Sequence, residues 1–345
     1  MAPILHVQQH TALSLTLSTI GALTLATIFY QIVSFLLSTF IVSGHSLEKF
    51  KDKKSADGTW AVITGASDGL GRQYALQLAD KGFNVLLISR TKAKLDALAE
   101  EISNKAKKSY DGGAQAEVLA VDFSTAGDEQ YGQIERALKG KVVGVLINNV
   151  GLSHDRPVVF SETSLEEMES IIKINCLATL RVTKTVLPFM LPQRRGLILT
   201  MGSFAGLTPT PLLATYSGSK AFLQAWNTAL AAELAPQGIV CTLAQAYLIT
   251  SAMSKVRRPT WLIPTEKAFV KSSLAKIGNR GGSWGFGRGT GTPYWSHALI
   301  AGVVTGVSGA ASDLTVGINK RMHEDILRRV LRKEKREREA GKKKE

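Results

Sequence analysis

The sequence predicts an α/β protein with a doubly wound parallel sheet, preceded by one N-terminal transmembrane helix. Two observations support this fold class. Residues 1–47 contain no Asp, Glu, Lys or Arg, and after residue 57 short apolar runs alternate with helix-compatible stretches. Strands and helices that alternate at this spacing are typical of parallel β-α-β units, in which helices cover both faces of the sheet.

Composition excludes several classes of protein. The 345 residues are 45% hydrophobic and 20% charged, which rules out disordered, collagen-like and disulfide-stapled chains. Cys176 and Cys241 are too few for a disulfide framework or a zinc site, and they favour a reducing compartment. The net charge is +14, and residues 320–345 hold twelve Lys and Arg against six Asp and Glu. Six of these net charges lie in the tail, and Lys49, Lys51, Lys53 and Lys54 directly follow an apolar span. A basic excess in these places indicates an anionic membrane surface, and we expect no nucleic-acid partner.

The transmembrane helix is predicted over about residues 12–42. This stretch exceeds the roughly 20 residues that cross a bilayer. A cleaved signal peptide is the alternative, but its apolar core is usually shorter and follows basic residues. The nearby basic residues all follow the span, so the positive-inside rule places the main body and the C-terminus in the cytosol.

The last four residues, 342–345, read Lys-Lys-Lys-Glu and resemble the dilysine retrieval signal of the endoplasmic reticulum. The alternative is a solvated charge run, since residues 324–339 read as a polar helix of mixed charge. The apolar stretch 298–311 is too short to cross a membrane. We expect it to pack against the sheet or to dip into the cytosolic leaflet.

Four segments divide the chain: the anchor at 1–47, an α/β domain at 55–275, a glycine-rich and apolar segment at 276–319, and the basic tail at 320–345. Within the second segment six apolar runs read as buried strands: 60–64, 84–89, 116–121, 142–147, 196–201 and 239–244. Helices are predicted over 70–81, 92–106 and 221–234. The stretch 279–293 is rich in glycine and is predicted to be a flexible loop.

A glycine-rich turn follows the first predicted strand and opens a helix. It reads Thr-Gly-Ala-Ser-Asp-Gly-Leu-Gly over residues 64–71. Glycines let the backbone turn tightly and approach a pyrophosphate at the helix N-terminus. Glycine is needed in a strand-to-helix turn whether or not the turn binds a nucleotide. The prediction of a nucleotide-binding site therefore depends on the position of this turn after the first strand. The candidate cofactor-binding residues here are Gly65, Ser67, Asp68, Gly69, Leu70 and Gly71.

Two further residues bear on the cofactor. Arg90 ends the second strand, where an acid would favour NAD and an arginine accommodates the 2′-phosphate of NADPH. A solvent-facing arginine at a helix start is the alternative. Asp122 ends the third strand, where it is placed either to accept from the adenine amino group or to act as the N-cap of the next helix.

Tyr216 and Lys220 stand four residues apart at the start of a helix-compatible segment, just before the predicted helix 221–234, so they would share one helical face. A nearby ammonium favours the phenolate, and we expect it to lower the tyrosine pKa towards the range of general acid–base catalysis. Ser203 closes the fifth strand at the carboxyl edge of the sheet, where its hydroxyl can polarise a carbonyl. Most Tyr-x3-Lys pairs are surface pairs, and a serine can simply satisfy a turn.

Two asparagines extend this candidate site. Asn149 follows the fourth strand and is placed to line the nicotinamide side. Asn175 is a polar residue in an apolar helical stretch, where it either faces solvent or holds a water that relays protons from Lys220.

Together these motifs resemble the short-chain dehydrogenase/reductase family over residues 60–254. The resemblance implies a Rossmann-type fold, a nicotinamide cofactor and a catalytic tetrad of Asn175, Ser203, Tyr216 and Lys220. It also implies nicotinamide contacts near Ile249 and at Ser251, where threonine is more usual.

The segments 82–90, 253–260 and 293–299 resemble the membrane-bound branch that contains very-long-chain 3-oxoacyl-CoA reductases and 17-beta-hydroxysteroid dehydrogenases. This branch implies NADPH-dependent reduction of a very-long-chain acyl-CoA in the fatty-acid elongation cycle of the endoplasmic reticulum membrane. Membrane lipid and other enzymes of that cycle are the implied partners. A steroid or sterol ketone reductase and a catalytically silent membrane adaptor are the alternatives.

Overall fold

The computed structural model describes residues 2–106, 113–251, 253–281 and 287–341. It confirms the predicted fold class with a seven-stranded, all-parallel sheet in the order β3-β2-β1-β4-β5-β6-β7. The strands are Thr59–Thr64 (β1), Asn84–Ser89 (β2), Ala116–Ala120 (β3), Val142–Asn148 (β4), Gly196–Met201 (β5), Ile239–Ala244 (β6) and Thr290–Gly291 (β7).

Eleven helices occur in the described ranges. They are Ala2–Leu36 (α1), Gly69–Ala79 (α2), Lys92–Ala106 (α3), Asp128–Leu138 (α4), Leu165–Ile172 (α5), Ala178–Val186 (α6), Phe204–Leu207 (α7), Ala214–Leu234 (α8), Glu266–Ala275 (α9), Trp295–Val303 (α10) and Asp313–Gly341 (α11). Helix α8 begins seven residues before the predicted start at 221, so it includes Tyr216.

The six predicted strands are present within a residue at each end, but β7 was not predicted. It lies inside the glycine-rich stretch 279–293, where Leu243 and Ala244 of β6 pair with Thr290 and Gly291. An isolated bridge joins Gly281 to Thr292 in the same stretch. The prediction of a flexible loop is therefore wrong for these residues, because backbone pairing with β6 fixes them. Residues 282–286 of this stretch lie outside the described ranges.

The sheet is buried on both faces, and its central strands are mostly apolar. Strands β1, β2 and β5 are buried throughout. Large apolar side chains from α2, α3 and α9 fill one face, and those from α4, α6 and α8 fill the other. The order of strands reverses between β1 and β4, which opens a crevice at their carboxyl ends.

Helix α1 continues through a π-helical turn, Leu37–Ile41, and residues 12–41 are long and apolar enough to span a membrane. The carbonyl oxygens at the end of this helix accept hydrogen bonds from the body of the protein. Lys276 Nζ donates to the oxygens of Ser38 and Val42 at 3.1 and 2.6 Å, and Asn279 Nδ2 donates to the same two at 3.1 and 2.7 Å. A cationic donor at a helix C-terminus is favoured by the helix dipole.

Two backbone hydrogen bonds extend this junction. Gly44 N donates to Ala275 O and His45 N donates to Ile277 O, both at 2.8 Å. A Cβ atom on Gly44 would lie 2.3 Å from the backbone nitrogen of Ile277. The end of α1 is therefore held against the body by backbone contacts that only glycine permits.

The apolar stretch 298–311 forms most of α10 and the π-helical turn Val304–Ser308. Ala298 and Ala301 are fully buried against the body, whereas Val303 is exposed. The predicted polar helix at 324–339 lies within α11. The tail at 342–345, with its dilysine motif, lies outside the described residues.

We predict that Gly44→Ala lowers the Tm of the detergent-solubilised protein by several degrees, because overpacking of a rigid contact costs about 1–3 kcal/mol. Gly21→Ala is the matched control, since a Cβ there meets nothing within 4 Å. Differential scanning fluorimetry of both variants provides the comparison. Equal Tm values for the two variants would show that the backbone around Gly44 shifts to accept the methyl group without loss of stability.

Candidate active site

The carboxyl ends of the parallel strands bring the predicted site residues to one edge of the sheet. The glycine-rich turn follows β1, Arg90 follows β2 and Asp122 follows β3. Asn149 follows β4, Ser203 follows β5, and Ile249 and Ser251 follow β6. Ligands of doubly wound folds bind at this edge, beside the crevice where the strand order reverses.

The glycine-rich turn has the conformation that close approach to a phosphate requires. Gly65 and Gly69 have positive φ angles of +64° and +54°. A Cβ on Gly71 would lie 2.1 Å from Gly65 O, so the start of α2 packs directly on the turn. On Gly69 a Cβ would meet nothing within 4 Å, which leaves the outer side of the turn open at the helix N-terminus.

Thr64 and Asn149 connect this turn to β4. Thr64 Oγ1 accepts hydrogen bonds from the backbone nitrogens of Asn149 and Val150 at 3.0 and 3.1 Å. Asn149 Nδ2 donates to the carbonyl oxygens of Thr64 and Gly65, both at 3.1 Å. The Asn149 amide thus braces the turn across the crevice. The role of Thr64 was not predicted, although its place directly before Gly65 was visible in the sequence.

The side chains of Ser67 and Asp68 form polar contacts within the glycine-rich turn and with the elements beside it. Ser67 Oγ lies 2.9 Å from Ser89 Oγ at the end of β2. Asp68 is the N-cap of α2: its Oδ1 accepts from Gly69 N at 2.8 Å, and its Oδ2 lies 3.6 Å from Lys94 Nζ. Leu70, in the first turn of α2, packs against the core.

Arg90 is exposed, and its charge acts on the neighbouring carboxylate of Asp122. Hydrogen bonds from the side chain and backbone of Ser124, at 2.7 and 2.9 Å, lower the pKa of Asp122, and Arg90 contributes further. Gly127 is the N-cap of α4. The alternative that Asp122 caps this helix is therefore wrong, and Asp122 instead closes the turn after β3.

Ser203, Tyr216 and Lys220 meet at the end of β5. Ser203 is the N-cap of α7, with Oγ accepting from Ala205 N at 3.2 Å, and its side chain lies near the Tyr216 hydroxyl. Lys220 lies one turn beyond Tyr216 on α8 and is buried. Its Nζ donates to Met201 O at 2.9 Å and lies 5.9 Å from the centroid of the Tyr216 ring.

Burial is the main cause of the shifted pKa values of Lys220 and Tyr216. It lowers the pKa of Lys220 to about 8, with the Cys176 thiol acting in the opposite direction. Desolvation raises the pKa of Tyr216, and the polar side chain of Ser203 offsets part of this rise. The expectation that Lys220 lowers the tyrosine pKa is thus wrong for the protein without a ligand. A raised pKa keeps the phenol protonated, which is the state that donates a proton to a ketone.

Asn175 is fully buried in the π-helical turn Lys173–Leu177, a local irregularity that is frequent at functional sites. The alternative that it faces solvent is therefore wrong. Its Oδ1 accepts from Leu152 N at 2.7 Å, and its Nδ2 donates to Leu152 O and Ser219 Oγ, both at 2.9 Å. The side chain fixes the loop after β4 against α8. Its part in a proton relay stays a prediction.

The loop after β6 carries Ile249 and Ser251 and is held by its own hydrogen bonds. Ser254 Oγ donates to Ile249 O at 2.5 Å, and Ser254 N donates to Ser251 Oγ at 3.1 Å. Ile249 is buried, whereas Ser251 is partly exposed.

An aromatic cluster that was not predicted supports the same loop. His297 Nδ1 accepts from Tyr247 N at 3.3 Å, and its Nε2 lies 3.1 Å from Leu262 O. Burial lowers the pKa of His297 to about 4, so the ring is neutral. The rings of Phe204 and Tyr294 contact His297 at centroid distances of 6.1 and 5.3 Å. The spacing of residues in the sequence does not predict this cluster, because its rings come from three segments that are far apart in the chain.

Helix α11 lies over the loops that surround the site. Asn319 Nδ2 donates to Thr208 Oγ1 at 3.0 Å, and Tyr247 Oη lies 3.6 Å from Met322 Sδ. Farther along, Glu334 forms a bidentate ion pair with Arg156 of the loop after β4, at 2.8 and 3.0 Å. The C-terminal helix is therefore part of the enclosure of the cleft.

The residues at this edge fit a dinucleotide. An ammonium has three donors, and among the described residues Lys220 Nζ makes one hydrogen bond, to Met201. Its remaining donors suit the hydroxyls of a ribose. The open side of the glycine-rich turn at the N-terminus of α2 suits a pyrophosphate.

Comparison with known proteins gives relatives of similar length. The very-long-chain 3-oxoacyl-CoA reductase of Aspergillus terreus is 56% identical over 308 residues, which are 89% of this chain and 84% of that protein. The protein of the same name from Aspergillus clavatus is 54% identical over 323 residues, covering 94% and 90%.

A solved structure, the short-chain dehydrogenase from Sphingobium yanoikuyae in complex with NADPH, is 25% identical and covers 63% of this chain and 83% of its own, with a TM-score of 0.55. This likeness and the geometry of the site support a nicotinamide cofactor. The family model described as short chain dehydrogenase matches residues 59–261. The resemblance seen in the sequence is confirmed: the chain belongs to the short-chain dehydrogenase family, and it is an oxidoreductase.

Proposed function

We propose that this protein is an NADPH-dependent very-long-chain 3-oxoacyl-CoA reductase of the endoplasmic reticulum membrane. The observation that carries the proposal is the group of Ser203, Tyr216 and Lys220, in which the tyrosine hydroxyl meets the Ser203 side chain beside a buried lysine. The choice of substrate is supported by the relatives that are more than 50% identical and bear this name.

In the proposed reaction a 3-oxoacyl-CoA becomes a 3-hydroxyacyl-CoA. Bound NADPH supplies the hydride to the ketone carbon. Ser203 donates a hydrogen bond to the ketone oxygen, and Tyr216 transfers its phenolic proton to the same oxygen as negative charge develops there. Lys220 holds the cofactor ribose and stabilises the phenolate left by proton transfer. Asn175 keeps the loop after β4 in place beside them.

Arg90 supports the choice of NADPH over NADH. It follows β2, is exposed, and lies close enough to Asp122 to influence that carboxylate. A guanidinium at this place can bind a 2′-phosphate through charge-assisted hydrogen bonds.

The activity itself is tested with purified, detergent-solubilised protein. We expect turnover of a long-chain 3-oxoacyl-CoA with NADPH to exceed turnover of a steroid ketone at equal concentration. Faster reduction of the steroid would assign the protein to the steroid branch. Loss of both activities in a folded preparation that binds NADPH would favour a silent adaptor.

Tyr216→Phe should reduce kcat by about 10²–10⁴, the usual loss when a general acid is removed. The dissociation constant of NADPH should change little, because the phosphates bind at the glycine-rich turn. Stopped-flow measurement of NADPH consumption and fluorescence titration of NADPH separate the two effects. Full activity in the Tyr216→Phe variant would exclude Tyr216 as the proton donor.

Arg90→Asp should shift cofactor preference towards NADH, because an acid repels a 2′-phosphate and accepts a bond from a 2′-hydroxyl. The measured quantity is the ratio of kcat/KM for the two cofactors. Lys105→Asp is the control, since it makes the same charge change at the far end of α3, about 20 Å away. Equal ratios in both variants would mean that another residue binds the phosphate.

The membrane orientation rests on α1 and on the sequence of the tail. We propose a single crossing by α1, with the reductase domain and the C-terminus in the cytosol, where a dilysine signal is functional. Other enzymes of the elongation cycle stay predicted partners. Protease added to sealed microsomes should remove a C-terminal epitope tag without detergent. A tag that is protected until detergent is added would place the tail in the lumen.

A further inference from the structure

Four exposed apolar side chains form a surface beside the end of α1, here called the apolar rim: Phe40, Trp261, Trp295 and Val303. They come from the end of the candidate span, the loop after β6, and both ends of α10. Trp261 is 67% exposed and Val303 60% exposed. Exposure of clustered tryptophan rings to water is unfavourable, and such an apolar patch is typical of a surface that contacts a protein or a membrane.

Ring contacts show that the rim is continuous with the span. Phe40, in the last turn of the span, lies 6.5 Å from the ring of Trp295, and Trp295 lies 6.2 Å from the ring of Trp261. Gly302, next to Val303, packs on Phe35, because a Cβ there would lie 3.0 Å from the Phe35 ring. The rim therefore lies beside the point at which α1 joins the body.

The same contacts give the depth of the rim. Phe35 precedes Ile41, the last residue of the span, by six residues, which is about 9 Å along a helix axis. If α1 crosses a bilayer, the end of α10 lies at a comparable depth beside it. Interfacial elements bury their apolar faces about 5–10 Å into the boundary between headgroups and acyl chains, and tryptophan is enriched there.

Charge next to the rim fits anionic headgroups. Arg257 and Arg258, which precede Trp261 in the loop after β6, are both exposed. On α11, Leu314 and Ile318 are exposed apolar residues, and Arg321 follows on the same face at helical spacing. Apolar side chains flanked by arginine are typical of surfaces that lie on anionic membranes.

We propose that the apolar rim lies in the cytosolic leaflet, so that the body is seated on the bilayer as well as anchored by α1. This inference rests on α1 lying in a membrane and is independent of the catalytic proposal. The loop after β6 carries both Trp261 of the rim and Ile249 and Ser251 of the site. A row of ring contacts continues from Trp295 through Tyr294, His297 and Tyr247 to Phe204, which follows Ser203. The seated rim thus holds the loop after β6 and the Ser203 end of the candidate site close to the bilayer.

Labelling of the full-length protein in phosphatidylcholine–phosphatidylserine vesicles tests this proposal. The native cysteines are both buried, so a thiol-reactive NBD fluorophore can be directed to introduced cysteines. Trp261→Cys and Val303→Cys report the rim. Leu25→Cys reports the interior of the span, and Glu117→Cys, on the opposite edge strand β3 about 30 Å from β7, reports a surface away from the rim. Unmodified protein measures background labelling.

We expect nitroxide lipids labelled near the headgroup to quench the fluorophores at 261 and 303 several-fold more than the one at 117. The label at 25 should be quenched most by lipids with the nitroxide near the chain end. If labels at 261 and 303 are quenched no more than the label at 117, the body stands away from the bilayer and the proposal is wrong. Lack of quenching at 25 also overturns it, because α1 would then lie outside the membrane. None of these readouts depends on reductase activity.

Discussion

The proposed active site depends on one buried cation, the ammonium of Lys220. Burial lowers its pKa from 10.5 to about 8, and each pKa unit corresponds to about 1.4 kcal/mol. Keeping the group charged at neutral pH therefore costs about 3 kcal/mol of stability. The unfolded chain retains the proton up to pH 10.5, so this cost disappears as the pH rises from about 8 to 10.5. A stable core would favour an apolar side chain here, and the interactions that Lys220 offers to a ligand and to Tyr216 explain its presence.

The remaining parts of the site follow from the sheet. Because all the strands are parallel, their carboxyl ends bring six separate segments to one edge, and Thr64 and Asn149 connect the two strands that flank the crevice. The candidate span α1 is connected to the same assembly. Lys276 and Asn279, which bind the end of α1, follow α9, and the loop after β6 leads into α9. Anchor and site are therefore parts of one packed body.

Much of the fold could be predicted from the sequence because buried strands and glycine-rich turns have local signatures. The six longer strands are nearly continuous apolar runs, and Ser203, Tyr216 and Lys220 occur in recognisable motifs. Strand β7 has two residues in a glycine-rich stretch, so only its pairing with β6 defines it. The raised pKa of Tyr216 could not be predicted, because it depends on burial by residues distant in the chain. The same is true of His297, whose neutral state and partners are set by tertiary packing.

The central claim is that the buried Lys220 ammonium binds the cofactor, and the pH dependence of NADPH affinity tests it most directly. If NADPH binds the charged form of Lys220 more tightly than the neutral form, thermodynamic linkage requires that NADPH binding raise the pKa of Lys220. The dissociation constant should therefore be level below pH 8 and rise above it, by at most about tenfold per pH unit. In Lys220→Met binding should be weaker, and this rise should be absent. A wild-type dissociation constant that does not change between pH 7 and the usual lysine pKa of 10.5, or an identical profile in Lys220→Met, would contradict the account.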